Sequence, residues 1–239
     1  SLNYGLSGVF WTTAILGVLG ILIVWVLVPN RVQVQHNRET LTDVKQILRL
    51  LKQNTLLRLN YGIFALHLAL MAAFVAIPTI LSEELGIEGQ NLWWVYLLLL
   101  GGGFVIMLPG MIMAEKYNRH KLIFLASVGV MTVVTLTLSF YRGSVVTPLL
   151  LLMFFTAFNL LEASLPSWMS KSCPVGNRGT AMGIYSTSQF LGAFFGGLLG
   201  GWSLQVLGMN GLFVVISLIL AIWWCLCLGM ESPRPLKTL

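Results

Sequence analysis

Residues 92–114 read LWWVYLLLLGGGFVIMLPGMIMA, a stretch without a single charged side chain. A helix of about 20 apolar residues is long enough to cross the hydrocarbon core of a bilayer, which is about 30 Å thick. The stretch therefore predicts a membrane-spanning helix. Similar apolar stretches predict six more such helices, near 8–29, 59–81, 122–141, 146–168, 180–206 and 210–230.

The overall composition agrees with a membrane protein. Hydrophobic residues make up 57% of the 239 residues and charged residues only 9%, whereas about 25% of the residues of an ordinary soluble domain are charged. Each stretch is continuously apolar, while the strands of a membrane barrel would alternate apolar and polar residues. We therefore predict an all-α membrane protein, a polytopic helical bundle of seven transmembrane helices in a lipid bilayer.

The basic residues predict the orientation of this bundle. The net charge of +6 does not indicate nucleic-acid binding, because the cations lie in short loops between spans, where they mark the cytoplasmic side. Only Arg142 lies on the opposite side, so Ser1 should face outward, and the loop 30–58 and the C-terminus should be cytoplasmic. The thirteen cations on the cytoplasmic side are Arg31, Arg38, Lys45, Arg49, Lys52, Arg58, Lys116, Arg119, Lys121, Lys171, Arg178, Arg234 and Lys237.

A short internal repeat explains the odd number of spans. The residues GLSGVF at 5–10 match GMNGLF at 208–213, and each copy opens an apolar stretch that ends on the cytoplasmic side. The first and seventh spans are thus equivalent, with a period of six helices, as in transporters built from two related halves. We expect 1–29 to be the last helix of an N-terminal six-helix half, whose other helices are missing from this sequence. Residues 59–230 would form the C-terminal half, and 231–239 a cytoplasmic tail.

The loop 30–58 is expected to link the two halves and to contain a short amphipathic helix. Thr40 and Asp43 resemble a capping box at a helix start. The apolar residues that follow fall on one helical face, which would lie on the membrane surface or remain a solvated linker helix. That face consists of Leu41, Val44, Ile47, Leu48 and Leu51.

The loop after the third span resembles the loop signature of the major facilitator superfamily. Residues 115–121 read EKYNRHK, which matches the acidic, basic, any, glycine, basic, basic core of that signature, with Asn118 in place of glycine. Asparagine still allows a left-handed backbone. The resemblance implies a cytoplasmic charge latch; the alternative is that these charges only mark the cytoplasmic side. Its expected members are Glu115, Lys116 and Arg119, with Arg178 as the partner of Glu115.

Five glycines in the sixth span resemble the antiporter signature of drug and proton antiporters in the same superfamily, G-x8-G-x3-G-P-x2-G-G, with Gly197 where proline stands. The resemblance implies export driven by protons. The local alternative is helix packing alone, since small residues four positions apart let two helix backbones approach closely. The glycines are Gly183, Gly192, Gly196, Gly200 and Gly201.

Three longer stretches resemble the YajR branch of bacterial facilitators. They are LNYGI at 59–63, AFNLLEA at 157–163 and RGTAMGIYSTSQF at 178–190, and the resemblance extends over nearly the whole chain. It implies a multi-pass protein of the bacterial inner membrane that moves a small molecule.

The predicted spans contain one carboxylate, Glu162, and one imidazole, His67. An ionised acid inside the bilayer costs about 2.5–3.5 kcal/mol on insertion scales, so such residues tend to have a function. Glu162 lies nine residues before Lys171 and His67 nine residues after Arg58, which places both ~13 Å from the cytoplasmic boundary. Asn159 and Asn60 are expected to extend a polar stripe on the same two helices.

These residues favour a secondary active transporter that couples protons to the export of a small, amphipathic molecule. Glu162 would take up and release the proton, and His67 would tune or relay it. Alternatively, Glu162 braces a helix pair and a backbone carbonyl satisfies His67. An uptake symporter or a uniporter of the same fold remains open, as does a non-transporting membrane protein. No lysine lies in a span to hold retinal, and no motif indicates an enzyme, a metal site or a cofactor.

Overall fold

The computed structural model describes residues 5–27, 44–174 and 176–230, and every element in these ranges is helical. Six of the helices are long and apolar enough to cross a membrane. The chain divides into two units, residues 1–40 and 41–239. The α-helices are α1 (Gly5–Leu27), α2 (Val44–Leu51), α3 (Asn54–Thr79), α4 (Leu92–Lys116), α5 (His120–Phe140), α6 (Val146–Ser172) and α7 (Arg178–Leu228).

The first unit contains α1, an uninterrupted helix of 23 residues. Its two threonines satisfy their hydroxyl groups within the helix, since Thr12 and Thr13 donate to the carbonyls of Gly8 and Val9 one turn earlier. The first copy of the repeat, residues 5–10, lies in the first described turns of this helix.

The second copy of the repeat marks a break in α7. Gly208 has φ +71°, a left-handed conformation that favours glycine, inside a helix of 51 residues. The break divides α7 into a first arm, 178–207, and a second arm, 209–228. The first arm runs parallel to α3, because Gly192 and Gly196 face Phe64 and Leu68 in the same order. The predicted sixth and seventh spans therefore correspond to these two arms.

The second arm runs back along α3 in the opposite direction, so α3 contacts both arms. Near its start, Gly62 of α3 faces the indole of Trp223. Helix α3 is the most buried of the long helices, and it contains fully buried residues such as Ile63, Leu66 and Ile77. It begins at Asn54, five residues earlier than predicted, and continues into a π-helical turn, Ile80–Glu84.

The remaining helices complete the second unit around this centre. Helix α4 packs against α6, and α5 packs against α6 and α7. Gly103 of α4 approaches the backbone of Phe155 and Thr156, where a side-chain carbon would lie 3.0 Å away. Phe124 of α5 packs edge-on against Trp168 and Trp223. Helix α6 thus contacts four helices, α3, α4, α5 and α7.

Helix α2 lies against α3 and against α7, close to the start of α7. Its docked residue is Leu50, which is 2% exposed and does not belong to the predicted apolar face. Gln46 also donates a hydrogen bond to Asn177, just before α7. Val44 and Leu48, which do belong to that face, remain exposed. The helix therefore has two apolar sides, one of which docks on the bundle.

Basic residues hold the C-terminal end of α7. The ammonium group of Lys121, at the start of α5, donates to the carbonyl of Leu228 over 2.9 Å, and the guanidinium of Arg58 lies beside Gly229. The last carbonyls of a helix have no partner within the helix and carry partial negative charge, which cations stabilise.

Arg142 stabilises the opposite end of the bundle. Its guanidinium donates to both carboxylate oxygens of Glu84, at 2.8 and 3.0 Å, and to the carbonyl of Leu138 at 2.7 Å. The contact ties the end of α5 to the π-helical turn after α3. The single cation predicted on the outer side is thus engaged locally.

Some predicted features lie outside the described residues. They are Ser1, Thr40, Leu41 and Asp43, the cations Arg31, Arg38, Arg234 and Lys237, and the tail 231–239.

Candidate functional site

Three helices bring polar side chains together inside the apolar bundle. His67 comes from α3, Glu162 from α6 and Gln189 from the first arm of α7. The side-chain nitrogen of Gln189, Nε2, lies 2.9 Å from Nε2 of His67 and 3.2 Å from Oε1 of Glu162. His67 Nε2 and Glu162 Oε2 are 3.8 Å apart. The amide therefore connects two groups that do not hydrogen-bond to each other directly.

Close packing between α3 and α7 holds the amide next to the imidazole. Gly192 lies against the backbone of Phe64, Gly196 against Leu68 and Gly200 against Ala72. The spacing of four residues places the three glycines on one face of α7. We call Gly192, Gly196 and Gly200 the glycine seam. Gln189 lies one turn before the seam, and His67 lies on the stretch of α3 that the seam contacts.

The imidazole and the carboxyl group differ in their exposure. The side chain of His67 is 12% exposed and that of Glu162 is 36% exposed. Phe158, one turn before Glu162, packs edge-on against the imidazole with ring centres 5.8 Å apart. The histidine ring is thus packed inside the bundle, while the carboxyl group of Glu162 is partly exposed at the open side of the bundle, the side from which it can be reached.

The hydrogen-bond partners define the charge state that fits this geometry. A glutamine Nε2 carries only donors, so it can bond to His67 Nε2 only if that nitrogen is unprotonated. The ring proton is then on Nδ1, a buried nitrogen with no hydrogen-bond partner among the described residues. The second amide hydrogen points to Glu162 as a carboxylate. A neutral imidazole and an ionised carboxylate satisfy both donors, and the carboxylate is free to accept a proton.

Tyr185 adds a fourth polar group to the site. It lies one turn before Gln189 on α7, is 3% exposed and interacts electrostatically with Glu162. Its hydroxyl has no hydrogen-bond partner within residues 5–27, 44–174 and 176–230. The hydroxyl is thus a second polar group of α7 near the carboxyl group.

The two asparagines predicted for the polar stripe do not contact this pair. Asn159 faces α4, where its side-chain amide donates to the carbonyl of Leu100 over 3.3 Å. Asn60 is 6% exposed, and its side-chain oxygen has no partner among the described residues. The sequence predicts a polar stripe on each of the two helices; on α6, Asn159 and Glu162 have partners on different neighbouring helices.

The residues predicted for the loop latch are spread over a larger region. Asn118 has φ +50°, so it adopts the left-handed backbone expected at this position. Glu115 lies 3.7 Å from His120 rather than pairing with Arg178, which does not occur among the ion pairs of the described residues. Lys116 lies over the ring of Tyr117. Arg119 precedes the first residue of α5, and Arg178 begins α7.

A small cavity of about 60 Å³ opens beside this loop, between α4, α5 and α6. Its polar lining includes Glu115, His120 and Lys171, together with Ser164 and Ser167. It lies on a different face of α6 from Glu162.

The five predicted glycines fall into two groups. The seam glycines are in close contact with α3, whereas a side-chain carbon at Gly183 or Gly201 would have no neighbour within 4 Å. Close helix approach therefore explains three of the five positions. In the part of the chain that the structure describes, no cluster of three metal-ligating side chains occurs.

The residues that our sequence analysis did not single out are Gln189 and Tyr185. They are four residues apart, so they share one face of a mostly apolar helix. Two polar residues on one face of an apolar helix could have been recognised in the sequence as a candidate site. However, only the packing of α7 against α3 and α6 shows that Gln189 and Tyr185 face Glu162 and His67.

Comparisons with known proteins agree with this architecture. The sequence profile of the Major Facilitator Superfamily matches residues 59–239. The inner membrane transport protein YajR of Escherichia coli is 39% identical over 98% of this chain and 52% of its own length. An uncharacterized transporter of Buchnera aphidicola from Acyrthosiphon pisum is 33% identical over 81% of this chain and 50% of its own length. The chain thus spans about half the length of these relatives.

The relatives are named as transporters and not as enzymes, which agrees with the motifs of the sequence. The profile match includes all of α3 to α7 from Leu59 onward, with the site residues and the glycine seam. On this evidence, the chain belongs to the major facilitator superfamily.

Proposed function

We propose that this chain provides the proton-coupling site of a secondary transporter in the bacterial inner membrane. The supporting observation is the group formed by Glu162, Gln189 and His67, which lies within three apolar helices. Placing a carboxylate inside the bilayer costs free energy, so a carboxylate found there is expected to have a function. The name of the Escherichia coli relative supports the same membrane. The loop 30–58 and the C-terminus would be cytoplasmic.

In the proposed cycle Glu162 carries the proton. Its side chain is 36% exposed, so a proton can reach it from the open side of the bundle. Protonation removes a negative charge and favours one orientation of the cavity, and release of the proton permits substrate exchange in the other. A second, N-terminal six-helix half of the same protein would provide the other wall of this cavity.

The proposed substrate is a small, amphipathic molecule, and the proposed direction is export. Two features support this choice. The glycine seam has the spacing of the antiporter signature, and Phe64, Leu68 and Trp202 line a purely apolar cavity of about 480 Å³ beside it. An apolar wall near a carboxylate suits a molecule with an apolar body and a polar or cationic end.

The test is a flux experiment with the protein expressed from its complete gene and reconstituted into liposomes. Ligands are first selected from small amphipathic compounds by their effect on thermal stability. A pH-sensitive dye inside the liposomes then reports proton movement when the compound is added. We expect opposite movement of compound and protons, and loss of coupling in Glu162→Gln. Glu83→Gln, which changes an exposed carboxylate in the π-helical turn after α3, serves as the control and should retain coupling.

Three other results would contradict the proposal. Unchanged coupling in Glu162→Gln would exclude Glu162 as the proton carrier. Compound flux that ignores an imposed pH gradient would indicate a uniporter. Movement of compound and protons in the same direction would indicate a symporter.

A further inference from the structure

The side chain of Gln189 contacts His67 as well as the proposed proton carrier, Glu162. Gln189 is the only described residue that hydrogen-bonds to both Glu162 and His67, and it does so through a single nitrogen. The two titratable groups come from α6 and α3, which also pack against each other. Their 3.8 Å separation exceeds hydrogen-bond length by about 1 Å. The amide nitrogen thus lies beside the gap between the two groups, within hydrogen-bond distance of each.

We propose that Gln189 is the positioning residue of this pair: its amide holds Glu162 and His67 apart and transmits a change of protonation from one to the other. The inference rests on the proposed function, because it concerns the same proton-coupling site. It assigns the coupling to an uncharged residue on a third helix.

The donor count of the amide gives this arrangement two states. With Glu162 ionised and His67 neutral, both hydrogens of Gln189 Nε2 find acceptors. When a proton from solution binds to Oε1 of Glu162, the oxygen that faces the amide, its O–H becomes a donor directed at Gln189, and the amide hydrogen is left with only a weaker hydroxyl acceptor there. Rotation of the amide by a half-turn replaces Nε2 with Oε1, which accepts from the carboxyl group. The same rotation withdraws the donor from His67 Nε2, so the imidazole favours the tautomer with its proton on Nε2.

Few other polar groups near Glu162 and His67 could connect them. From α3 the pair includes His67, and from α7 it is faced by Tyr185. Helices α4 and α5 bring Glu115 and His120 to α6, but near Lys171, which lies nine residues, or about 13 Å of helix, beyond Glu162. The neighbouring hydroxyls of Thr187 and Ser188 bond to carbonyls of their own helix. Gln189 is therefore the polar side chain of α7 that joins the two groups.

The experiment measures the titration of Glu162 without a substrate. The protein expressed from its complete gene is reconstituted into liposomes, and infrared difference spectra follow the C=O band of the protonated carboxyl group as the pH is varied. The part of the signal that Glu162→Gln removes belongs to Glu162. Three variants are compared with the wild type: Gln189→Leu, Gln189→Ala and, as a matched control on the same helix, Ser188→Ala.

The variants separate the two parts of the proposal. Gln189→Leu keeps the volume but removes the donor to the carboxylate, so the midpoint should move to higher pH by about one unit. Gln189→Ala removes the same donor and also opens space for direct contact between Glu162 and His67, so its shift should be smaller. Ser188→Ala should titrate like the wild type. Thermal unfolding of each variant shows whether the bundle is intact.

Equal midpoints for Gln189→Leu and the wild type would overturn the positioning role. A shift in Gln189→Ala as large as that in Gln189→Leu would overturn the separating role of the amide. Neither result depends on flux, so each is distinct from a failure of the proposed function, which would appear as unchanged proton coupling in Glu162→Gln.

Discussion

A methyl group at position 196 should separate α3 from α7. Gly196 lies in the middle of the glycine seam, and a side-chain carbon there would be 2.5 Å from the carbonyl oxygen of Leu68 and 2.8 Å from its Cα. Both are backbone atoms that cannot rotate away. Because ordinary contact begins at 3.4 Å, Gly196→Ala requires the two helices to move apart by about 1 Å.

The size of the effect follows from two opposing terms. Overpacking of a tight contact typically costs about 1–3 kcal/mol, and alanine in place of glycine returns roughly 1 kcal/mol of helix propensity. The adjacent Gly197 has no neighbour within 4 Å, so Gly197→Ala gains propensity without a clash. The two variants should therefore differ in free energy of unfolding by about 1–3 kcal/mol. At about 2–4 °C per kcal/mol, this corresponds to roughly 5 °C in apparent melting temperature.

The assay is thermal unfolding of the purified protein in lipid nanodiscs, followed by tryptophan fluorescence. We expect Gly196→Ala to melt below the wild type and Gly197→Ala at or above it. A Gly196→Ala protein that melts as high as Gly197→Ala would refute the close approach of the two helices. Separation of α3 from α7 should also affect proton coupling. Gly192→Ala, one turn from Gln189, should weaken proton coupling more than Gly197→Ala, because separation lengthens the 2.9 Å contact between Gln189 and His67.

Two further predictions concern the ends of the bundle. Arg142→Gln should lower the stability by about 0.5–1 kcal/mol, since the ion pair with Glu84 is partly exposed; high salt should reduce the loss, and an unchanged melting temperature would contradict it. Burial raises the pKa of the Cys173 thiol, and the charge of Arg178 partly opposes this rise. Maleimide labelling of Cys173 should be slow at pH 7, accelerate about tenfold per pH unit with the thiolate fraction, and slow further in Arg178→Gln. Labelling as fast as that of an exposed thiol would disprove the assignment.

The helices could be predicted from the sequence because apolar length alone determines what can cross a bilayer. The repeat also located the turn between the last two spans, and Gly208 proves to be the residue with the left-handed backbone. The start of α3 was harder to predict from the sequence. Asn54 and Leu59 are separated by residues that include Arg58, and a hydropathy argument ends at a charge even where the helix continues.

The candidate site could be predicted only in part. Equal depth suggested that Glu162 and His67 are neighbours, and depth requires nothing beyond the helical rise. The direction in which a side chain points around its helix depends on the partner helices. Asn159, three residues from Glu162, thus binds α4 instead of the pair. Gln189 was missed for the same reason, since an uncharged amide becomes significant only when its two acceptors are in place.

The contact of Lys121 with the last turn of α7 has a consequence for how the protein acquires its orientation. A cation that directs a loop to the cytoplasm acts during insertion, before the helices meet. In the folded bundle Lys121 and Arg58 lie at the C-terminal end of α7. Moving their charges to the other side in order to invert the protein would therefore also leave the end of α7 without its cap. Two of the cations on which the predicted orientation depends thus also contact the end of α7.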